Sequence, residues 1–444
     1  MFIPWFPDTL LAAMRYNEQP VWLEGVRFPA GDPGPLPERA DVVIIGGGLT
    51  GLAAARALAR RGADVALLEA QTLGWGASSR NGGMVLTGLK LGAAALRATY
   101  GLERARAMFA ASLEAIACVE QLVREERIDC DFARHGHLLL AAKRGHARAL
   151  AAEAALLARE FGHPTRFLPA AELPGEIGSA RFFAGLVDEA SAGLNPARYT
   201  AGLAQAASRA GARLFSDTPA SRIQRERGVA AHPFVVTTAR GALRAGAVLV
   251  ATGGYTGAAT PALRRRIVPL GSYIVATEPL PADLARALIP RGRMVFDSLH
   301  LLHYFRLTPD NRLLFGGRAA FLPETGATVR ESAAILQRAM AAIFPQVRDT
   351  RIEYAWGGTL DVPFDLMPHV GQRDDVYFAL GYAGHGVALA TWLGTRLAER
   401  ISRAGGETPF DGLPFPGAPL GLYNGWPWFL PLAGLYYRAL DWLR

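Results

Sequence analysis

The feature that most constrains this chain is a short apolar run that ends abruptly on three glycines. Val42, Val43, Ile44 and Ile45 are all β-branched, and Gly46, Gly47 and Gly48 follow directly. Such a run bounded by glycine reads as a buried strand. The Ala-rich stretch Leu49–Arg61 reads as a helix stopped by Gly62. A second strand is expected at Asp64–Glu69. Within the turn, glycines at 46, 48 and 51 match the spacing of a dinucleotide-binding loop. Gly46 permits the tight turn, Gly48 lets a pyrophosphate approach the backbone, and Gly51 lets the helix pack close to the sheet. The helix start offers unpaired N–H groups to phosphate. Glu69, 18 residues beyond Gly51 and followed by Ala70, is placed to accept from ribose hydroxyls.

Three further segments belong with this unit. Gly74–Gly83 (GWGASSRNGG) comes straight after the second strand. Its small and hydroxyl residues, including Gly76, Ala77, Ser78, Gly82 and Gly83, suit a loop pressed against a flat group, and Arg80 and Asn81 add donors. Thr252, Gly253 and Gly254 end an apolar strand near Val248–Ala251. Gly381–Val387 (GYAGHGV) lies between a strand at Val376–Leu380 and a helix at Val387–Ala404. Gly384 and Gly386 there allow close backbone approach, and the helix start can stabilise developing negative charge.

Between these segments the pattern alternates. Long helices are expected over 95–160, with a strand at His135–Ala142, and a helix over 196–211 opens on Asn195-Pro196. An antiparallel, strand-rich region spans 265–320, and 328–345 is helical. Two intertwined domains follow, neither continuous in sequence. With 444 residues, half of them apolar and 19% charged, the chain is long enough for two or three domains and excludes disorder. The net charge of +8 is spread along the chain, so a nucleic-acid partner is not indicated. Cys118 and Cys130 are too few for a disulfide scaffold or a cysteine-built metal site, and no metal is expected. They fit a reducing compartment.

Taken in this order, the four segments resemble the D-amino-acid-oxidase-like FAD-dependent oxidoreductases, over about Asp41–Ala404. The branch of bacterial amine oxidases typified by gamma-glutamylputrescine oxidase is the nearest resemblance. It is carried by residues 74–83, 304–318 (YFRLTPDNRLLFGGR), 356–371 (WGGTLDVPFDLMPHVG), 381–387 and the tail LPFPGAPL at 413–420. The fold this implies is α/β, a Rossmann-like FAD-binding domain intertwined with an antiparallel or mixed-sheet substrate (cap) domain. The FAD-binding domain would comprise 41–95, 196–260 and 352–405, and the cap 96–195 and 261–351, flanked by an extension at 1–40 and a tail at 406–444. The implied reaction passes a hydride from the carbon beside an amine nitrogen to flavin N5. The imine then hydrolyses to an aldehyde or keto acid, and O2 is reduced to peroxide. Besides the residues above, the implied FAD contacts include Leu49, Thr50, Ile223, His385 and Val387. The ring loop has no His or Cys where covalently flavinylated relatives attach the ring, so noncovalent FAD is expected. Pro269–Val275 lacks the lysine that some relatives use toward oxygen, which leaves O2 or a quinone as acceptor.

Candidates for the chemistry are His385, Tyr304 and Arg318. Candidates for holding the substrate are Tyr273, Arg306 and Trp356, with His303 a further pocket residue. On a strand Tyr304 and Arg306 share one face, while His303 and Phe305 share the other. Arg306 or Arg318 can bind a carboxylate or brace the cap, Trp356 can wall the pocket or lie in the core, and His385 can act chemically or as a structural hydrogen-bonder. Aromatic residues gather at both ends (Trp5, Phe6, Trp426, Trp428, Trp442). Leu432–Leu443 can form an amphipathic helix that lies on a membrane, as in an amine dehydrogenase linked to quinone, or packs on the protein body. The location expected is the cytoplasm, with peripheral contact on the inner face of the membrane as the variant.

Overall fold

The architecture comes from a computed structural model that describes residues 16–317 and 325–443, less the side chains of 438, 442 and 443. Arg318, Trp5, Phe6 and the Trp442 side chain therefore lie outside the described residues. The first sheet runs β17-β18-β11-β1-β2-β8. Its members are β1 (Arg39–Ile45), β2 (Val65–Leu68), β8 (Arg213–Phe215), β11 (Gly241–Val250), β17 (His369–Arg373) and β18 (Val376–Leu380). From β18 to β8 all pairings are parallel, and a ribbon of β9 (Ala220–Arg225) and β10 (Phe234–Thr238) turns off antiparallel from β11.

Helix α1 (Leu49–Ala59) leaves β1 through the glycine turn and is buried along its whole length. That burial requires small residues. A Cβ on Gly51 would sit 1.9 Å from the Gly46 carbonyl oxygen. A Cβ on Gly394, in α6 (Gly386–Ile401), would meet the Thr50 carbonyl at 2.3 Å. Helices α2 (Leu102–Glu126) and α4 (Pro196–Arg209) complete the layer. The long helix α2 shares its core with α1 and α6 through Ala105, Met108, Ala115 and Ile116, so its apolar face serves the dinucleotide layer although residues 96–195 read as cap.

The second sheet runs β16-β12-β15-β14-β13-β4-β6-β5. It comprises β4 (His137–Leu140), β5 (Arg166–Pro169), β6 (Ala184–Asp188), β12 (Ile267–Thr277), β13 (Met294–Asp297), β14 (His303–Leu307), β15 (Leu313–Gly317) and β16 (Ile352–Pro363). One face packs on α5 (Gly326–Ile343) through Tyr273, Val275, Phe305 and Phe315. The expected boundary at 352 is corrected here: β16 pairs antiparallel with β12 from Ile267↔Pro363 to Thr277↔Ile352, so 352–363 belongs to the second sheet. A two-stranded link, β3 (Met84–Val85) with β7 (Ala192–Gly193), joins the layers. Near the end of the chain, α7 (Leu430–Leu443) forms about where the tail helix is expected. No described helix is long and apolar enough to cross a membrane.

Candidate active site

Two cavities lie between the sheets and share Ala77, Asn81, Leu360, Gly384 and Val387 in their walls. The first, of about 540 Å³, follows the carboxyl ends of β1, β2 and β11, the edge where open α/β sheets bind ligands. Gly46, Gly48, Leu49 and Thr50 line it at the start of α1, Glu69 and Ala70 at the end of β2, and Thr252, Gly253 and Gly254 after β11. The Glu69 carboxylate is fixed by the N–H groups of Gly47 (2.7 Å) and Gln71 (2.9 Å). It keeps acceptor capacity for a hydroxyl. Ser78 Oγ accepts from Leu49 N at 3.0 Å, tying the ring loop to the helix start.

The second cavity, of about 410 Å³, runs along the second sheet. Its floor is a single row of the ladder: Ile274, Gly316, Tyr304, Phe296, Leu139 and Leu186 are successive cross-strand partners. All but Gly316 line the cavity, and the Tyr304 ring lies over Gly316, where a Cβ would meet it at 2.2 Å. Tyr304 Oη is 3.3 Å from Ser272 Oγ, and His385 closes the end shared with the first cavity.

Several expected contacts fall elsewhere. Tyr273 lies on the opposite face of β12, its hydroxyl donating to Thr328 Oγ1 at 3.3 Å, because the period of two puts Ser272 and Ile274 on the cavity side. Arg306 shares the Tyr304 face as expected but lies beyond the cavity. Its Nη1 donates to the carbonyls of Gly83 (3.0 Å) and Leu194 (3.1 Å). Burial pulls its guanidinium down to about 10. It therefore braces the turn after Asn81 and makes no salt bridge to a described residue. Trp356 is core: it packs with Trp22 and Tyr354, and its indole N–H donates to the Arg80 carbonyl at 2.8 Å. His303 sits behind the floor, 2.9 Å from Asp297 Oδ2. Ile223 packs in the ribbon core, and Pro219 and Ala220 take the place in the wall expected of it. Gly51, inside α1, and Gly83, in the turn after Asn81, lie behind the walls; a Cβ on Gly83 would meet the Leu194 carbonyl at 2.1 Å.

Arg80 lines the second cavity, but its guanidinium donates to the carbonyls of Trp75 (2.8 Å) and Gly357 (3.2 Å). Asn81 donates to Ala77 and Ser78 and accepts from Gly83 N, which fixes the loop where the cavities meet. Gly76, Ala77, Ser78, Gly386 and Val387 line the first cavity, and Gly82 and His385 the second.

The sequence reading missed Asp361 and Asp188. Asp361, in the wall of the first cavity, accepts from Gly381 N at 2.7 Å. Burial pushes its carboxyl up to about 6 against that N–H. A lone aspartate between Leu360 and Val362 in an apolar strand is the signal that marks it. Asp188, in the wall of the second cavity, accepts from Thr87 Oγ1 and His163 Nε2, both at 2.7 Å. Burial alone would raise its carboxyl, but these donors hold it at about 2.

A dinucleotide cavity floored by parallel strands and roofed by a mostly antiparallel sheet defines a two-domain flavoprotein oxidoreductase. The chain belongs to the FAD dependent oxidoreductase (DAO) family, whose model matches residues 41–400. It is 33% identical over 385 residues to the gamma-glutamylputrescine oxidoreductase of Escherichia coli, covering 85% of this chain and 88% of that protein. It is 34% identical over 370 residues to the probable oxidoreductase OrdL of Haemophilus influenzae, covering 82% and 83%. Among solved structures, glycine oxidase from Geobacillus kaustophilus superposes with a TM-score of 0.69 at 24% identity, over 86% of this chain and 99% of that one. The chain is thus an FAD-dependent oxidoreductase. Its first cavity fits the cofactor: a Cβ on Gly48 would stand 2.6 Å from Ser78 Oγ and one on Gly254 2.8 Å from the Leu360 carbonyl. Side chains there would fill the channel wall.

Proposed function

We propose that the protein oxidises the C–N bond of a small amine that lacks an α-carboxylate, with O2 as terminal acceptor, in the manner suggested by its similarity to the E. coli enzyme. FAD, when bound in the first cavity, supplies the hydride acceptor. The observation that carries the reading is the chemistry of the floor beside Tyr304. Among the described residues, the arginines near it are directed at main-chain carbonyls: Arg80 at Trp75 and Gly357, Arg306 at Gly83 and Leu194. Among the described residues, an α-amino acid placed there would meet no guanidinium directed at it, the bidentate partner such carboxylates favour.

In this reading Tyr304 and Ser272 orient the amine nitrogen by hydrogen bonding, and the apolar floor favours its neutral form, the form that releases hydride. Gly46, Gly48, Leu49, Thr50, Glu69 and Thr252–Gly254 hold the dinucleotide, and Gly384–Val387 close on the ring. His385, at the N-cap of α6, helps to position that closure. FAD is held noncovalently, since the loop 74–83 holds no His or Cys and neither cysteine lines a cavity. The two free thiols, one buried and one half-buried, fit a cytoplasmic setting. The decisive experiment is anaerobic absorbance of the holoenzyme with gamma-glutamylputrescine, putrescine, sarcosine, glycine and D-alanine, followed by air. Bleaching by an amine, rapid recovery in air and peroxide release are expected. Bleaching by amino acids alone would overturn the substrate class. Bleaching without recovery would overturn O2 in favour of an acceptor such as quinone.

The tail favours a second reading, contact with a membrane surface. Leu420, Leu422, Trp426, Trp428, Leu432, Leu435 and Tyr436 are each more than half exposed, a concentration of apolar and interfacial side chains on one short segment. Sedimentation with anionic liposomes tests it. Co-pelleting that is lost on Trp426→Ser/Trp428→Ser/Leu435→Ser substitution is expected, and protein left in the supernatant at low salt would refute it.

A further inference from the structure

Two aromatic rings stand across the first cavity. Trp75 belongs to the ring loop after β2, Tyr255 to the turn after β11, and both line the cavity. Yet Trp75 is 40% and Tyr255 37% exposed. A side chain that faces a cavity on one side and solvent on the other is the boundary between them. The two rings meet edge to face, their centroids 5.4 Å apart, a favoured aromatic geometry. Each is held from behind. The Arg80 guanidinium lies over the Trp75 ring at 4.9 Å while its Nε donates to the Trp75 carbonyl. Tyr255 Oη accepts from the Thr359 N–H of β16 at 3.2 Å, and a Cβ on Gly76 would meet the Tyr255 ring at 2.7 Å. Ordering two exposed aromatic side chains costs entropy, which these contacts offset. The position of the pair is also fixed. On either side of Trp75 the ring loop is pinned to the phosphate-binding turn: Gly74 N donates to the Gly47 carbonyl at 2.9 Å, and Ser78 Oγ accepts from Leu49 N. The rings therefore cross the channel between its Glu69 end and the end shared with the second cavity.

We propose that Trp75 and Tyr255 form a clasp over the FAD channel. The cofactor enters and leaves when the two rings part, so the pair sets how fast FAD exchanges rather than how tightly it is held. The contact broken on opening is protein to protein, and passage in either direction meets it. Its free energy therefore adds to the barrier for entry and for exit alike, and cancels from their ratio. A ring that merely stacked on the cofactor would behave differently: its loss would speed release, leave entry unchanged and weaken binding by the same factor.

The test is made on the holoenzyme without any substrate. The off-rate is read by absorbance as bound FAD exchanges for excess 8-chloro-FAD, Kd comes from equilibrium flavin fluorescence on dilution, and the on-rate is the off-rate divided by Kd. Trp75→Ala and Tyr255→Ala are each expected to raise both rates about tenfold while Kd stays within about threefold of wild type. Trp75→Phe keeps an aromatic edge against Tyr255 and should exchange close to the wild-type rate. Tyr255→Phe removes the anchor on Thr359 alone and should raise both rates by about threefold. A Kd that weakens in step with the off-rate, or an alanine variant that is purified without its flavin, would make the rings an affinity contact and overturn the clasp. Exchange at the wild-type rate in both alanine variants would overturn it as well, since FAD would then pass by another route.

Discussion

The two cavities are built on opposite principles. The first is made mainly of backbone. Its walls are turns at the ends of parallel strands, and its chemistry is N–H groups, carbonyls and glycines that leave room for a ligand. The second is made of side chains from many separate stretches: β12, β14, β13, β4, β6, the segment after β3 and the start of α6. A backbone-built site tolerates little change and serves one cofactor. A side-chain-built site on a sheet can be respecified residue by residue without disturbing the ladder beneath it. That division explains how a conserved architecture can hold FAD while its relatives carry names as different as gamma-glutamylputrescine oxidoreductase and glycine oxidase.

If the division holds, damage to one cavity should spare the other. The largest effect is expected for Gly51→Ala. Its new Cβ would overlap the Gly46 carbonyl, so the turn must open. Overpacking of about 3 kcal/mol corresponds to roughly a hundredfold weaker FAD binding, readable as flavin fluorescence released on dilution. Gly316→Ala is the reciprocal probe, since its Cβ would collide with the Tyr304 ring from below. About 1–3 kcal/mol of displacement predicts a ten- to hundredfold fall in kcat/KM with FAD content unchanged. Concurrent loss of FAD would show that the two cavities are not separable. Tyr304→Phe keeps the ring over Gly316 and removes only the hydroxyl near Ser272, so about a tenfold loss is expected in the same steady-state assay. An unchanged kcat/KM would remove Tyr304 from the orienting role.

The same contrast explains what was legible in the sequence. Gly46, Gly48 and Glu69 were readable because a phosphate-binding turn is local: strand, turn and helix lie within about thirty residues, and glycine spacing reports backbone geometry directly. Tyr304 was readable in part, since alternation along β14 places it opposite His303, but alternation gives no sign of which face of the sheet is the cavity. That ambiguity misplaced Tyr273, one residue out of step with Ser272 and Ile274. Arg306 was on the right face but its guanidinium is consumed by the Gly83 turn, a contact between residues 223 positions apart. Asp188 and His163 become a pair only after β6 is registered on β4 and helix α3 (Arg144–Phe161) is laid alongside. No local pattern encodes that. The boundary at 352 failed for a related reason, because twelve residues of β16 read equally well as the lead-in to the parallel strand β18.

Asp361 offers the finest discrimination, because it sits where the two constructions touch. Its strand, β16, belongs to the second sheet, yet its carboxylate lines the first cavity and receives the Gly381 N–H. Burial raises its folded pKa to about 6, above the ordinary aspartate value. Folding therefore favours the protonated form. The group is neutral in both states below the unfolded pKa of about 4. As pH rises from there through 6, the folded state loses stability relative to the unfolded one, and the penalty is complete above that window. Asp361→Asn keeps the acceptor for Gly381 and cannot ionise. Its apoprotein should melt about 2 °C above wild type at pH 8, with the gap closing toward pH 4.5. A gap independent of pH would mean that the carboxylate is solvated or paired in the folded chain. In that case the contact between sheet and loop holds through hydrogen bonding alone, with no electrostatic cost to relieve.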